Sequence, residues 1–268
     1  MKLLTNYIPR LARIGSGGSL LKCLMLLLRF YYFVITRKLG VVSRSQNFPI
    51  TFTFNKVELS YYLQHPMDLQ VLVEIFVYKE YEWDLGEFKP KYIFDLGAHF
   101  GDTTLYYSAV YPNATIVAVE PDPENFARLL LHTKRNKNII PLNVAVGPMD
   151  KEIPFYKGKS SIGFSVERRS VDDVEISVPQ KSVATILEEN NIPSIDLFKF
   201  DIEGAEFSLL ESLDLTKVAT VYIGELHFDL SNTYTLAAFQ AGLVNQSYIF
   251  KIDAIPGHGR HMLKLKNT

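Results

Sequence analysis

Cysteine is all but missing. Cys23 stands alone among 268 residues, so no internal disulfide can form and a reducing compartment is permitted. Acids are absent from residues 1–57, which carry nine Lys and Arg. A long apolar run free of charge is also absent. Lys22 and Arg29 interrupt the apolar stretch 20–35, whereas a spanning helix needs about 18 or more residues nearly free of charge. No small-residue cleavage site follows that stretch, and there is no internal repeat or low-complexity tract. Net charge is scarce too. A value of −1 argues against a nucleic-acid-binding face as the main business and sets the expectation of no nucleic-acid partner.

What is present fits a globular core: 47% hydrophobic and 21% charged residues. The small net charge hides an asymmetry, because the chain beyond residue 57 holds 19 basic and 29 acidic side chains. Such a split suggests an appendage whose partner differs from that of the core. In 20–35 and just beyond, Lys22, Arg29 and Thr36 recur every seven residues, with Arg37 beside the last. On a helix they form one polar stripe opposite a broad apolar face. Two readings stay open for it: a helix lying on an anionic membrane surface, or one packed on the rest of the chain. The expected organisation is a basic amphipathic extension over 1–45, lead-in helices over 46–90, and an α/β domain over 91–268. Within 47–65 the pattern suggests a short strand, a turn and a helix. Residues 67–81 suggest a helix with Leu69, Leu72, Val73, Phe76 and Val77 on its apolar face.

Beyond residue 90 strand and helix patterns alternate. Strands are expected over 92–96, 115–119, 139–145, 195–200, 218–224, 247–252 and 261–265. Helices are expected over 102–110, 123–135, 181–190, 205–213 and 233–241. This order implies a Rossmann-like, mostly parallel sheet covered by helices on both faces, with ligands beyond the carboxyl ends of the strands. Residues 151–178 differ. Their alternating apolar positions and small polar turns suggest a β-rich excursion over the active-site edge.

Residues 91–121, KYIFDLGAHFGDTTLYYSAVYPNATIVAVEP, carry the strongest signal. A strand ends in Asp95, Gly97 and Gly101 follow, a helix begins, and a second strand ends in Glu120. Glycines let the backbone approach a ligand, and Glu120 can accept two hydrogen bonds from ribose hydroxyls. A dinucleotide site wants G-x-G-x-x-G against a pyrophosphate. The spacing here is D-x-G-x-x-x-G, and Asp95 would repel a pyrophosphate but suits an ammonium group. S-adenosylmethionine (SAM) has an ammonium, a ribose and no phosphate, so Asp95 and Glu120 together favour it over NAD. Asp102 and Thr103 open the helix and are placed to cap its free amides.

Four segments in order, DLGAHFGD, AVEPDPENFARL, LNVAVG and IDLFKFDIEGAE, resemble the FkbM family of SAM-dependent methyltransferases. The resemblance covers roughly residues 68–265. It implies a class I methyltransferase sheet and O-methylation of a hydroxyl on a sugar, glycan or other small-molecule acceptor. It also places the cofactor loop at Asp95, Gly97, Ala98, His99 and Gly101, with Thr103 near the SAM carboxylate and adenine near Asn143 and Ala145. His99 stands where the commonest pattern has glycine.

The fourth core strand ends at Asp201, followed by Glu203 and Glu206, and the fifth ends in Glu225 and His227. If the two strands are neighbours, these groups share one rim. Asp201, Glu203 and His227 are then candidates for removing a hydroxyl proton, while Asp201, Glu203 and Glu225 are candidates for holding a divalent cation. Glu206 is read as opening a helix, and Lys199 as pairing with a carboxylate on its own face. His258 and His261 are read as a solvated turn, with acceptor contacts as the other reading. The absence of an Asn-Pro-Pro-aromatic motif after strand four counts against N-methylation of adenine or glutamine. Two further alternatives stand: a dinucleotide-dependent oxidoreductase on the same fold, and a non-catalytic module at a membrane. The expected location is the cytoplasm, peripheral at a membrane through residues 1–45.

Overall fold

Strands with apolar side chains on both faces require cover on both sides. A computed structural model describes residues 7–41, 43, 46–157, 164–165, 174–230, 233–244, 248–255 and 259–268. The amino-terminal part contains α1 (Ile8–Gly15), α2 (Leu20–Lys38), β1 (Phe48–Phe54), β2 (Val57–Leu63) and α3 (Pro66–Val73), the last continued by a π-helical turn, Glu74–Tyr78. Then follow β3 (Tyr92–Leu96), α4 (Asp102–Val110), β4 (Thr115–Val119), α5 (Pro123–Thr133) and β5 (Ile139–Leu142). An excursion adds β6 (Ala145–Val146), β7 (Lys151–Lys157), β8 (Phe164–Ser165) and β9 (Val174–Lys181). The chain closes with α6 (Val183–Glu189), β10 (Ile195–Phe200), α7 (Glu206–Glu211), α8 (Leu215–Val218), β11 (Ala219–His227), α9 (Leu236–Val244), β12 (Tyr248–Ala254) and β13 (Arg260–Asn267).

The central sheet has the order β12-β13-β11-β10-β3-β4-β5. Strands β5, β4, β3, β10 and β11 run parallel, and β13 is antiparallel to both of its neighbours. From β3 the chain winds outward to β5, then crosses back to β10 on the other side of β3. Strand order reverses there, and a crevice opens at the carboxyl ends of β3 and β10. Alternation sorts the side chains. Ile93, Leu197 and Ile223 face a core shared with Leu105 and Tyr106 of α4, while Phe94, Phe198 and Tyr222 face one shared with Ile186 and Phe207. The excursion forms its own sheet, with β7 antiparallel to β9, and packs Phe155 and Val178 together.

The segment 47–65 is a hairpin, not the expected strand, turn and helix. β1 and β2 pair antiparallel, with Phe54 opposite Val57. Ile50 and Phe52 on one strand, and Leu59, Tyr61 and Leu63 on the other, are buried at period two, which is a strand signature that the apolar content obscured. Asn55 and Lys56 form the turn with φ of 47° and 65°, the left-handed pair that a two-residue hairpin needs. Residues 67–81 are helical only to Tyr78, where Lys79 at φ 55° ends the turn. The expected strand 139–145 divides between two sheets, because β6 pairs with β9.

The amphipathic helix expected near the amino terminus is α2. It buries Leu26, Phe30, Phe33 and Val34, in one continuous core with α1, the hairpin and α3, and leaves Leu21, Leu24, Met25 and Leu28 exposed. Its guanidinium groups Arg29 and Arg37 donate to the carbonyls of Pro49 and Gln46. No described helix is long and apolar enough to cross a membrane.

Candidate active site

The loop after β3 owes its shape to two residues in the left-handed region, Gly97 at φ 70° and His99 at φ 53°. A Cβ on Gly97 would run into the Asp201 carbonyl at the end of β10, so only glycine fits. The amides of Gly97 and Ala98 donate to the Val119 carbonyl at 3.0 and 2.9 Å, which binds the loop to the end of β4. One cleft runs from this loop to the ends of β10 and β11. Of the cofactor residues expected from sequence, Gly97, Ala98, His99, Thr103, Glu120 and Ala145 line it.

Glu120 is buried beside the loop. Its Oε2 accepts from the His99 amide and its Oε1 from the Asp122 amide, each at 2.9 Å. Each oxygen keeps a further lone pair, so the carboxylate can also accept from two hydroxyls. Burial raises its pKa, and His99 and the two amides pull it back. An anchored acceptor of this kind fits the ribose of SAM. Val144, Ala145 and Phe155 give the same end of the cleft an apolar wall, which suits a base.

Three expected cofactor residues lie elsewhere. Asp95 is fully buried behind the loop. Its Oδ1 pairs with Lys199 Nζ at 3.0 Å and its Oδ2 accepts from Thr104 at 2.6 Å, so its carboxylate is committed within the protein and not turned to a ligand's ammonium group. Lys199 also donates to the Gly97 carbonyl at 2.8 Å, which makes the pair a brace for the loop. Burial pushes Lys199 down, but Asp95 and Asp201 raise it further. Gly101 turns the chain at φ 92° against Leu129, away from the cleft. Asn143 donates to the carbonyls of Glu120 and Pro121 at 2.8 and 3.0 Å, fixing the end of β4 and leaving its amide committed. Asp102 does not cap α4. It is buried and accepts from Tyr61 at 2.5 Å, and the N-cap position is Gly101, which has no side chain to bond.

The other end of the cleft is acidic. β10 and β11 are parallel neighbours with Phe200 opposite Gly224, so Asp201, Glu203 and Glu225 meet on one rim as expected, and all three line the cleft. Glu203 is held at φ 53°, a conformation rare outside glycine and concentrated at functional sites. His227 does not reach the cleft. It has no solvent exposure and sits behind the three carboxylates, with Nδ1 2.8 Å from Glu206. Burial lowers its pKa, but the bond to Glu206 and the charges of Glu206, Asp201 and Glu203 raise it, to about 9. A proton-taking role for His227 is therefore corrected, since its ring has no solvent exposure and does not line the cleft. Glu225 stands on the rim itself, where burial and Asp201 raise its pKa to about 8. Glu206 is buried and does more than open α7, because it also accepts from the amides of Ile202 and Gly204 at about 3.1 Å.

Sequence reasoning missed Tyr81 and Arg260. Tyr81 Oη lies 2.9 Å from Asp201 Oδ2 and 3.3 Å from Glu225 Oε1. Arg260 stands opposite His227 in the β11–β13 register, 3.8 Å from carboxylate oxygens of Glu203 and Glu225. Neither carries a motif, and the antiparallel placement of β13 is what brings Arg260 to the rim. His261 neighbours Phe228 edge to face at 5.4 Å, and His258 lies outside the described residues.

A parallel sheet with one reversed strand, and a glycine loop beside the acid that closes β4, define a Rossmann-like class I methyltransferase fold. The family profile described as methyltransferase FkbM domain matches residues 95–240, over half of the chain. The protein belongs to this family, and the matched region is a SAM-dependent methyltransferase domain. Methyltransferase 1 of Beauveria bassiana is 29% identical over 164 residues, 53% of this chain and 65% of that protein, so the match spans under two thirds of that relative. Methyltransferase sdnD of Sordaria araneosa is 25% identical over 194 residues, 58% of this chain and 73% of that one. Among solved structures, the fibrillarin pre-rRNA processing protein of Methanococcus jannaschii has a TM-score of 0.46 at 14% identity, covering 84% of each chain. An rRNA methylase from Streptococcus thermophilus has a TM-score of 0.40 at 8% identity, covering 75% of this chain and 94% of that one.

One expectation is corrected: a net charge of −1 does not exclude nucleic acid as a partner. The physical error lay in using the mean charge, since a total of −1 coexists with an acid-free segment of nine basic residues.

Proposed function

We propose that the protein transfers a methyl group to a hydroxyl on a sugar or other small-molecule acceptor. The observation that carries this reading is one continuous cleft with Glu120 and the Gly97–His99 loop at one end and Asp201, Glu203 and Glu225 at the other. Glu120 and the loop would hold the nucleoside part of SAM, with Val144 and Phe155 against the base. When bound, SAM supplies an electrophilic methyl group on a positively charged sulfur that departs as a neutral thioether. The chain's own task is to place the acceptor oxygen, exclude water and receive the hydroxyl proton. Asp201, Glu203 and Glu225 are placed for the last of these, and Tyr81 holds two of them in position. A divalent cation among the same carboxylates is a second route, since it would lower the acceptor's pKa directly.

The test is transfer of labelled methyl from SAM to a panel of sugars and hydroxylated small molecules, with RNA as a separate arm and calorimetry against SAM and NAD. Label in a hydroxylated small molecule, lost by about 10²–10⁴ in Asp201→Ala, supports the proposal. Label confined to RNA, or binding of NAD in place of SAM, overturns it.

A further inference from the structure

His227 ends β11 without solvent exposure, and its Nδ1 lies 2.8 Å from Glu206 Oε1. An ionised carboxylate only accepts, so Nδ1 bears the hydrogen and Nε2 points the other way. Nε2 is buried and has no hydrogen-bond partner among the described residues, and the same holds for Asp201 Oδ1. Around Nε2 stand Asp201 Oδ1 at 3.7 Å, Glu203 Oε2 at 3.8 Å and Glu225 Oε2 at 3.8 Å.

These distances choose between two arrangements. A hydrogen bond from nitrogen to oxygen closes to about 2.7–3.2 Å. Two atoms each bound about 2.1 Å from one metal ion are separated by roughly 3.0 Å at right angles and 4.2 Å in trans. The three gaps are too long for the first and fall within the second. Asp201, Glu225 and His227 each offer a ligand atom within 4.8 Å of the other two. The outer groups agree. Tyr81 shares its hydroxyl between Asp201 Oδ2 and Glu225 Oε1, which leaves the opposite oxygens turned towards Nε2. Glu206 behind His227 is the carboxylate that fixes a ligating imidazole's tautomer. Arg260 faces the rim 3.8 Å from Glu203 and Glu225 but is shared with Asp229 at 3.5 Å, so one guanidinium neutralises only part of the charge.

We propose that His227 Nε2, Asp201 and Glu225 bind one divalent first-row transition cation, of the Mn²⁺, Fe²⁺, Co²⁺ or Zn²⁺ class, with Glu203 beside them. An imidazole among carboxylates suits these ions, whereas Mg²⁺ and Ca²⁺ take oxygen ligands alone. His227 is thus a ligand behind the rim, held by Glu206. The ion's use at the acceptor hydroxyl rests on the methyl-transfer reading, but its binding does not.

The test is titration of the chelator-stripped full chain with Mn²⁺, read by loss of the free-ion paramagnetic resonance signal, and with Co²⁺, read by visible absorption. One ion per chain is expected, with nitrogen coupling in the resonance spectrum. Asp201→Asn and His227→Ala should each lose that uptake, and Glu206→Gln should weaken it about 10–100-fold. SAM calorimetry on the same samples reports whether each variant is folded, and the nitrogen coupling of the unaltered chain stands even if His227→Ala is not. No uptake at millimolar ion, or uptake unchanged in Asp201→Asn, overturns the site and leaves a protonated His227 holding the carboxylates. Displacement of Mn²⁺ by equimolar Mg²⁺ overturns the ion class. SAM binding without ion uptake defeats this site alone, and ion uptake without SAM binding defeats the methyl-transfer reading alone.

Discussion

Glu120 illustrates how much one side chain can carry. Its carboxylate closes a strand, accepts two backbone amides and still faces the cleft. Glu120→Ala should weaken SAM binding by roughly 2–4 kcal/mol, since hydrogen bonds to a charged group are worth about 1.5–3 each and do not add fully. Isothermal calorimetry checks this, and an unchanged affinity would remove Glu120 from the cofactor site. His132 makes a different prediction. The Tyr62 amide donates to its Nε2 at 3.1 Å, Nδ1 faces the Phe100 carbonyl at 2.6 Å, and the ring stacks on Tyr61 at 4.0 Å. The neutral ring is therefore fully satisfied, and a second proton would oppose the Tyr62 N–H. Burial lowers its pKa from 6.5 to about 4, with Asp102 opposing and Arg128 assisting. A depressed folded pKa means that the unfolded chain binds the extra proton first. Stability is then present above 6.5 and lost as pH falls towards 4, on the order of 3 kcal/mol in all. Melting temperature against pH should show this slope, and His132→Gln should flatten it.

At the level of elements, the hairpin was the least legible part of the chain. Its strands alternate, but each runs only seven residues, and Pro49 and Tyr62 interrupt the polar face. Nor does the turn announce itself, because Asn55 is followed by Lys56 and not by glycine. Lys56 holds φ 65° against its own Cβ. Lys56→Gly should therefore stabilise the protein by about 1 kcal/mol. A urea midpoint that falls instead would show that Lys56 makes a contact worth more than the strain. The core strands were easier to read, because β3, β4 and β10 each end in or beside the acid or glycine that the sequence pattern marked. α4 was legible in extent but not in capping, since Asp102 turns away from its own helix to meet Tyr61 of the hairpin.

For the whole molecule, the amino-terminal helices belong to the core. Ile8, Leu11, Leu26, Phe30 and Phe33 are all nearly or fully buried. At roughly 1.5–3 kcal/mol each, their burial is comparable to the total stability of a domain, about 5–15 kcal/mol. Deleting residues 1–44 should therefore uncover Ile50, Phe52 and Phe76 and yield aggregated or molten protein. Size-exclusion chromatography with near-ultraviolet circular dichroism checks this outcome, and a monodisperse truncation that still binds SAM would contradict it. A basic, acid-free composition made the segment look detachable. Its buried face shows otherwise, while the exposed Leu21, Leu24, Met25 and Leu28 keep the other half of the amphipathic pattern.

The sequence by itself determined the succession of strands and helices in the central sheet from β3 onward, the glycine turn after β3, the acid after β4, and the acids after β10 and within β11. Each of these is local, because periodicity, a positive φ and the residue that closes a strand are properties of neighbours in the chain. Only the tertiary structure decided which acid faces the cleft. Asp95 meets Lys199 because β3 and β10 pair in register, and so it braces the loop. His227 retreats behind Asp201, Glu203 and Glu225 because β11 carries it past the rim onto Glu206. Arg260 arrives from the antiparallel β13, and Tyr81 from beyond the end of a π-helical turn. Pairings between residues far apart in the chain depend on strand order and register, which no local pattern encodes.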